Sequence, residues 1–238
     1  MPVPKQYENI DRFPVALDTI IFGFDRENLK LLLIKRDFEP EKGNWSLMGG
    51  FLEAEESLDA AASRILTKLT GLKNIYLEQL YGFGEVDRDP VERTISIAYY
   101  SLINIHDHDK ELVEKYSARW FPIDDLPDLI FDHQQMVEAA KTRLRHKAER
   151  QPVGFELLPE KFTLPELQQL YESIYETQLD KRNFRRRILS MGVLIKTNEK
   201  QKGFSKKGAY LYKFDNEKFN ELNSPSNNNS LMFKPPKV

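Results

Sequence analysis

Residues 49–72, GGFLEAEESLDAAASRILTKLTGL, constrain this chain more than any other stretch. Two adjacent glycines permit a tight turn or a close backbone approach, and an acidic loop follows them. Ser57 then precedes an apolar-periodic run, and a serine at that place satisfies the free N–H groups at the start of a helix. Leu58, Ala61, Ala62, Ile65, Leu66 and Leu69 recur at helical spacing, which predicts a helix packed by that face on a sheet. Gly71 is placed to end it in the left-handed conformation.

The stretch resembles a Nudix box, G-x5-E-x7-R-E-U-x-E-E-x-G-U with U a bulky aliphatic. Gly50, Glu56, Arg64, Leu66, Gly71 and Leu72 match that pattern position by position. The resemblance implies an α/β/α sandwich and, in its active members, glutamates that bind magnesium or manganese across a pyrophosphate. Where the pattern has its other three glutamates, this chain has Ile65, Lys68 and Leu69. Hard cations take oxygen ligands and an aliphatic side chain supplies none. Lys68 adds a positive charge one helical turn beyond Ile65. The expectation is a retained scaffold without its reaction: no catalytic residue, no metal, no cofactor, not an enzyme. The alternative is an active hydrolase in which Glu53, Glu55, Glu56 or Asp59 substitutes.

With 238 residues, 40% hydrophobic and 30% charged, the chain is long enough for two small domains. There is no cysteine, so disulfides and thiolate metal sites are excluded. The sequence shows neither a signal peptide nor an apolar run of about 18 residues, so a soluble cytoplasmic protein without membrane contact is expected. The net charge of -2 hides an asymmetry: residues 151–238 hold 15 Lys+Arg and 10 Asp+Glu, which leaves 20 and 27 for residues 1–150. An acidic first part and a basic second part suggest different partners.

In chain order, residues 1–14 read as a polar arm. Strands are expected at 16–24 and 29–36, the second with the continuous apolar run of Leu31, Leu32, Leu33 and Ile34 that suits a strand covered on both faces. Further strands follow at 75–83, 94–103 and 118–122, then a helix capped by Asp132 and running to about residue 150. That order resembles the Nudix sandwich over about residues 10–148. Residues 1–150 are therefore expected to form the first, effector-sensing domain.

The second domain is expected over residues 151–222, with 223–238 a disordered tail. Thr163-Leu164-Pro165-Glu166 has the form of a capping box with proline in the first turn. After a turn near Thr177, Asp180 caps a second helix whose Phe184 and Ile188 form the buried seam. Lys181, Arg182, Arg185 and Arg186 fall on its solvent face, and residues 181–207 contain ten basic residues against one acid, Glu199. Phosphates attract such a face, and arginine or asparagine can also read base edges in the major groove. A basic, glycine-bearing loop at 198–208 between strands at 193–197 and 209–214 completes a winged helix-turn-helix.

The run LPELQQLYESIYETQLDKRNFRRRIL with the later GAYLYKF resembles the C-terminal domain of the Nudix-related transcriptional regulators, in which a Nudix-like sensor precedes a winged helix. That resemblance spans nearly the whole chain and implies a homodimeric DNA-binding regulator. One branch of the family governs NAD metabolism and senses ADP-ribose; another, with a degraded box, governs pentose use. The segments SLMGGF, DRDP, SIAYY and LIFDH resemble the second, which implies a repressor of carbohydrate utilisation genes with a pentose such as L-arabinose as effector and ADP-ribose as the alternative. Arg182, Asn183, Arg185 and Arg186 are expected at the major groove of a palindromic double-stranded operator, with Lys181, Lys206 and Lys207 on phosphates. Effector candidates bordering the box are Lys35, Arg36, Trp45, Glu85, Asp87 and Arg93, polar and aromatic groups of the kind a sugar needs. His106, His108, His133 and His146 have no metal-site spacing.

Overall fold

A computed structural model of the protein describes residues 10–105, 116–154, 156–201 and 208–218. The first domain is built around β1 (Val15–Phe24), which runs parallel to β6 (Ile95–Asn104) along its whole length. Its other edge is divided. β4 (Met48–Phe51) pairs antiparallel with Ala16–Thr19, and β2 (Leu29–Lys35) with Ile21–Phe24. The far edge of β2 takes β7 (Ala118–Pro122), its end takes the two-residue β3 (Trp45–Ser46), and β5 (Glu78–Phe83) closes the β6 side.

Both faces of this sheet are covered, which is why β1 and β2 are apolar along their length. Helix α1 (Leu58–Thr70) lays Ala61, Ala62 and Ile65 against Leu17 and Tyr99, and Leu66 against Ile21 and Leu32. Helix α2 (His133–Arg150) covers the opposite face, where Met136, Val137, Ala140 and Leu144 join Ile20, Phe22, Phe24 and Leu31. Each large side chain removed from water in this way contributes about 1.5–3 kcal/mol. The result is the α/β/α sandwich the sequence implied. Ser57 caps α1 as expected, its hydroxyl accepting the Ala60 N–H at 3.2 Å, and Gly71 ends the helix at φ 74°.

In the second domain, β8 (Phe162–Thr163), β10 (Ala209–Phe214) and β9 (Leu194–Gln201) form an antiparallel sheet in that order beside α3 (Leu164–Tyr175) and α4 (Lys181–Ser190). The capping box is present: Thr163 Oγ1 accepts the Glu166 N–H while Glu166 Oε2 accepts the Thr163 N–H at 2.7 Å. Asp180 caps α4 by accepting the Asn183 N–H at 2.8 Å. Phe184 packs edge-on against Tyr171 of α3, and with Ile188 it is buried. This is a winged helix.

No gap separates the two cores. The apolar cluster over α2 continues through Ala148, Val153 and Leu157 into Phe162, Tyr171, Phe184, Ile188 and Tyr212. The Val153 N–H donates to the buried Tyr171 hydroxyl at 3.0 Å. Midway along α2, Lys141 and Arg145 grip Glu176, the left-handed residue that ends α3, at 2.7 and 2.6 Å.

Several expectations are corrected here. Asp132 stands before α2 but makes no side-chain cap bond, because its carboxylate is taken by Arg88. The strand expected from 75, β5, begins at Glu78, and β9 continues to Gln201 rather than stopping at 197. Strands β3, β4 and β8, two to four residues each, carry too little sequence to show a period. Lys206, Lys207, His106, His108 and the tail at 223–238 lie outside the described residues. Among the described residues no helix is long and apolar enough to cross a membrane.

Candidate functional site

The box folds by clamping its acidic loop to its helix. Arg64 of α1 donates from Nε to Glu56 Oε2 at 2.8 Å and from Nη2 to Glu56 Oε1 and the Phe51 carbonyl, while Glu56 Oε1 also accepts the Glu53 N–H. The guanidinium bonded to it holds the Glu56 carboxyl down at about 2. Ile65 is buried beneath Gly50, where an added Cβ would come within 2.9 Å of its Cγ1. Lys68 is exposed and stands outside the cavity lining, whereas Leu69 lines it. One aliphatic group in the core, one at the cavity wall and a carboxylate already held by arginine are a poor donor set for a hard divalent cation. The residues present do not fit the metal that active Nudix boxes hold, and among the described residues no cluster of three or more His, Cys, Asp or Glu forms a metal site.

Beside the box, where β4 leaves β1 and β2 begins to pair with it, lies a cavity of about 240 Å³. Its walls come from the ends of β1, β2 and β4, the 37–38 segment, Leu69, Tyr116-Ser117 and Phe131. Three of its lining residues, Asp18, Arg88 and His133, belong to a buried polar cluster. Arg88 reaches Asp132 through two hydrogen bonds of 2.9 and 2.8 Å and lies 3.8 Å from Asp18 Oδ2. Asp18 accepts the Ser96 hydroxyl at 2.6 Å. His133 Nδ1 accepts the Leu47 N–H at 3.2 Å, and burial pushes its pKa below the ordinary value.

Of the six effector candidates, Lys35 and Arg36 line this cavity. Arg36 lies 3.7 Å from the centre of the exposed Phe38 ring and donates to the Phe38 and Pro40 carbonyls, which folds the 37–44 loop around it. Trp45, Glu85, Asp87 and Arg93 are not brought to it. Trp45 packs edge-on on Phe121 at 4.7 Å under the sheet, and Arg93 closes its own loop by donating to the Gly84 and Glu85 carbonyls. Asp18, Arg88, Asp132 and His133 escaped sequence reasoning because no spacing links positions on β1, a loop and the start of α2. The one signal was an aspartate inside an otherwise apolar strand.

On the second domain, Lys181, Arg182, Asn183, Arg185 and Arg186 are all exposed on α4, with no acidic residue in that helix. Asn183 Oδ1 accepts from Arg186 Nη2 at 3.1 Å, which orients both side chains. On the wing strands, Lys196 and Lys200 lie 3.6 and 4.5 Å from the centre of the half-exposed Tyr210 ring.

Family models match this architecture in both parts: the NUDIX domain over residues 12–140 and the NrtR DNA-binding winged helix domain over residues 154–214. The chain is 36% identical over 216 residues to the ADPR responsive transcriptional repressor NtrR of Acinetobacter baylyi, covering 88% of this chain and 86% of that one. The crystal structure of Shewanella oneidensis NrtR complexed with a 27mer DNA superposes with a TM-score of 0.76 at 31% identity, covering 87% of this chain and 95% of that one. The NUDIX domain of the Shewanella protein complexed with ADP ribose superposes with a TM-score of 0.52 at 28% identity, over 60% of this chain and 94% of that one.

Proposed function

This chain belongs to the NrtR family of Nudix-plus-winged-helix regulators, and from that premise we propose that it is a DNA-binding transcriptional repressor whose Nudix domain responds to ADP-ribose. The observation that carries this reading is the relative named as an ADPR-responsive repressor, similar along 88% of the chain and so across both domains. The pentose effector and the carbohydrate role, placed first by the sequence segments, give way to the NAD and ADP-ribose alternative, because the effector named for the regulators this chain resembles is ADP-ribose.

In this reading two protomers present their α4 helices to successive major grooves of a palindromic operator, and Arg182, Asn183, Arg185 and Arg186 face the bases. Lys181 holds phosphate, as do Lys206 and Lys207 of the wing loop. ADP-ribose in the cavity favours a conformation that fits the operator poorly and so releases it. The domain binds its ligand without cleaving it, since Ile65, Lys68 and Leu69 stand where metal-binding glutamates would be needed.

The test is retardation of the chain's own promoter DNA at fixed salt with and without ADP-ribose, beside a phosphate-release assay with magnesium and manganese. Binding that ADP-ribose reverses, with no turnover, is expected. Metal-dependent cleavage of ADP-ribose that Glu56→Gln abolishes would replace the sensor with an enzyme. Arg185→Ala should weaken operator binding about 5- to 100-fold, the worth of one good base contact, and leave ADP-ribose binding as it was.

A further inference from the structure

The floor of the cavity holds two polar atoms that the protein leaves without a hydrogen bond. Asp18 Oδ2 is bonded to Ser96, while Oδ1 faces His133 Nε2 at 3.6 Å, beyond hydrogen-bond reach. Because His133 Nδ1 accepts the Leu47 N–H, the single proton of the neutral ring resides on Nε2. A carboxylate acceptor and an imidazole donor, with side chains only 6% and 4% exposed, therefore face each other across the cavity floor. Both residues line the cavity, so a ligand there can reach a carboxylate acceptor and an imidazole donor that the protein does not otherwise hydrogen-bond.

The backbone is arranged to keep that place open. An added Cβ at Gly49 would meet Asp18 Oδ1 at 2.4 Å, so the first glycine of the Gly49-Gly50 pair is required by a residue on the neighbouring strand rather than by a turn. Charge then selects the ligand. Asp18 and Asp132 together carry two negative charges against the single guanidinium of Arg88, so the floor repels phosphate and favours a neutral hydroxyl donor. The cationic groups lining the same cavity, Lys35 and Arg36, belong instead to the end of β2 and the residue after it.

We propose that Asp18 and His133 form a sugar-hydroxyl subsite that receives the terminal ribose of the effector, Asp18 Oδ1 accepting an O–H and His133 Nε2–H donating to an adjacent ribose oxygen. Of the two ends of ADP-ribose only the terminal ribose carries hydroxyls, and the inner ribose is flanked by adenine and diphosphate. This subsite rests on the reading of the cavity as the effector site.

Calorimetry of the full-length protein with ADP-ribose and with ADP, which lacks the terminal ribose, tests it. The wild type should bind ADP-ribose about 10- to 100-fold more tightly than ADP, the range for hydrogen bonds to a charged group. Asp18→Asn, and separately Gly49→Ala, which crowds Asp18 Oδ1, should bring that ratio close to one. Equal affinity of the wild type for the two ligands overturns the subsite alone and needs no variant to fold, as does a ratio that Asp18→Asn leaves intact. Absence of binding by either nucleotide overturns the effector reading itself and the subsite with it.

Discussion

At the scale of single residues, the box keeps the paired Glu56 and Arg64 of the family pattern while Ile65, Lys68 and Leu69 stand at its other glutamate positions. Glu56 and Arg64 hold the acidic loop on α1 through paired hydrogen bonds, and the arginine keeps the Glu56 carboxyl at about 2 against an ordinary 4.5. A carboxylate with a depressed folded pKa stabilises the native state above its unfolded pKa, and that contribution disappears as pH falls through the folded value. The protein should therefore lose this stability between about pH 4.5 and pH 2. Glu56→Gln should flatten that part of the acid unfolding curve, measured by circular dichroism, and should lower stability at pH 7. An unaltered curve would mean the clamp contributes nothing.

At the scale of elements, legibility followed length and periodicity. The α1 face, the seam of α4 and both caps at Ser57 and Asp180 were readable because 3.6-residue spacing and capping chemistry are local. The divided edge of β1 was not, since parallel pairing with β6 joins residues some 80 positions apart and β3 and β4 are too short to show alternation. The cavity floor followed the sheet: Asp18, Arg88 and His133 meet only once β1 and the start of α2 are in place. Trp45, Glu85, Asp87 and Arg93 have a suitable residue type near the box, but side-chain type alone does not say which face of a strand or loop points inward. Within the winged helix, Phe184 is 3% exposed between α3 and α4. Phe184→Ala should cost about 3–5 kcal/mol in urea unfolding and abolish operator binding, whereas Arg185→Ala, exposed on the same helix, should stay within about 0.5 kcal/mol of wild type. Similar losses of stability in both would place the α4 faces wrongly.

At the scale of the whole molecule, α2 is the element both domains share. Its first residues stand at the cavity floor, its middle holds Glu176, and its apolar face feeds one unbroken core that reaches Tyr212. A core shared in this way predicts a single unfolding equilibrium for the two domains, in which a small molecule bound at one end adds its binding free energy to the folding of the other. Scanning calorimetry of the full-length protein should give one transition. ADP-ribose at about 100 times its dissociation constant should raise the stability of the winged helix and of the sandwich alike, by about 2.7 kcal/mol. Two transitions, with only one responding to the nucleotide, would separate the domains. The continuous core thus makes the DNA-binding domain a beneficiary of mass action at a site it does not contain.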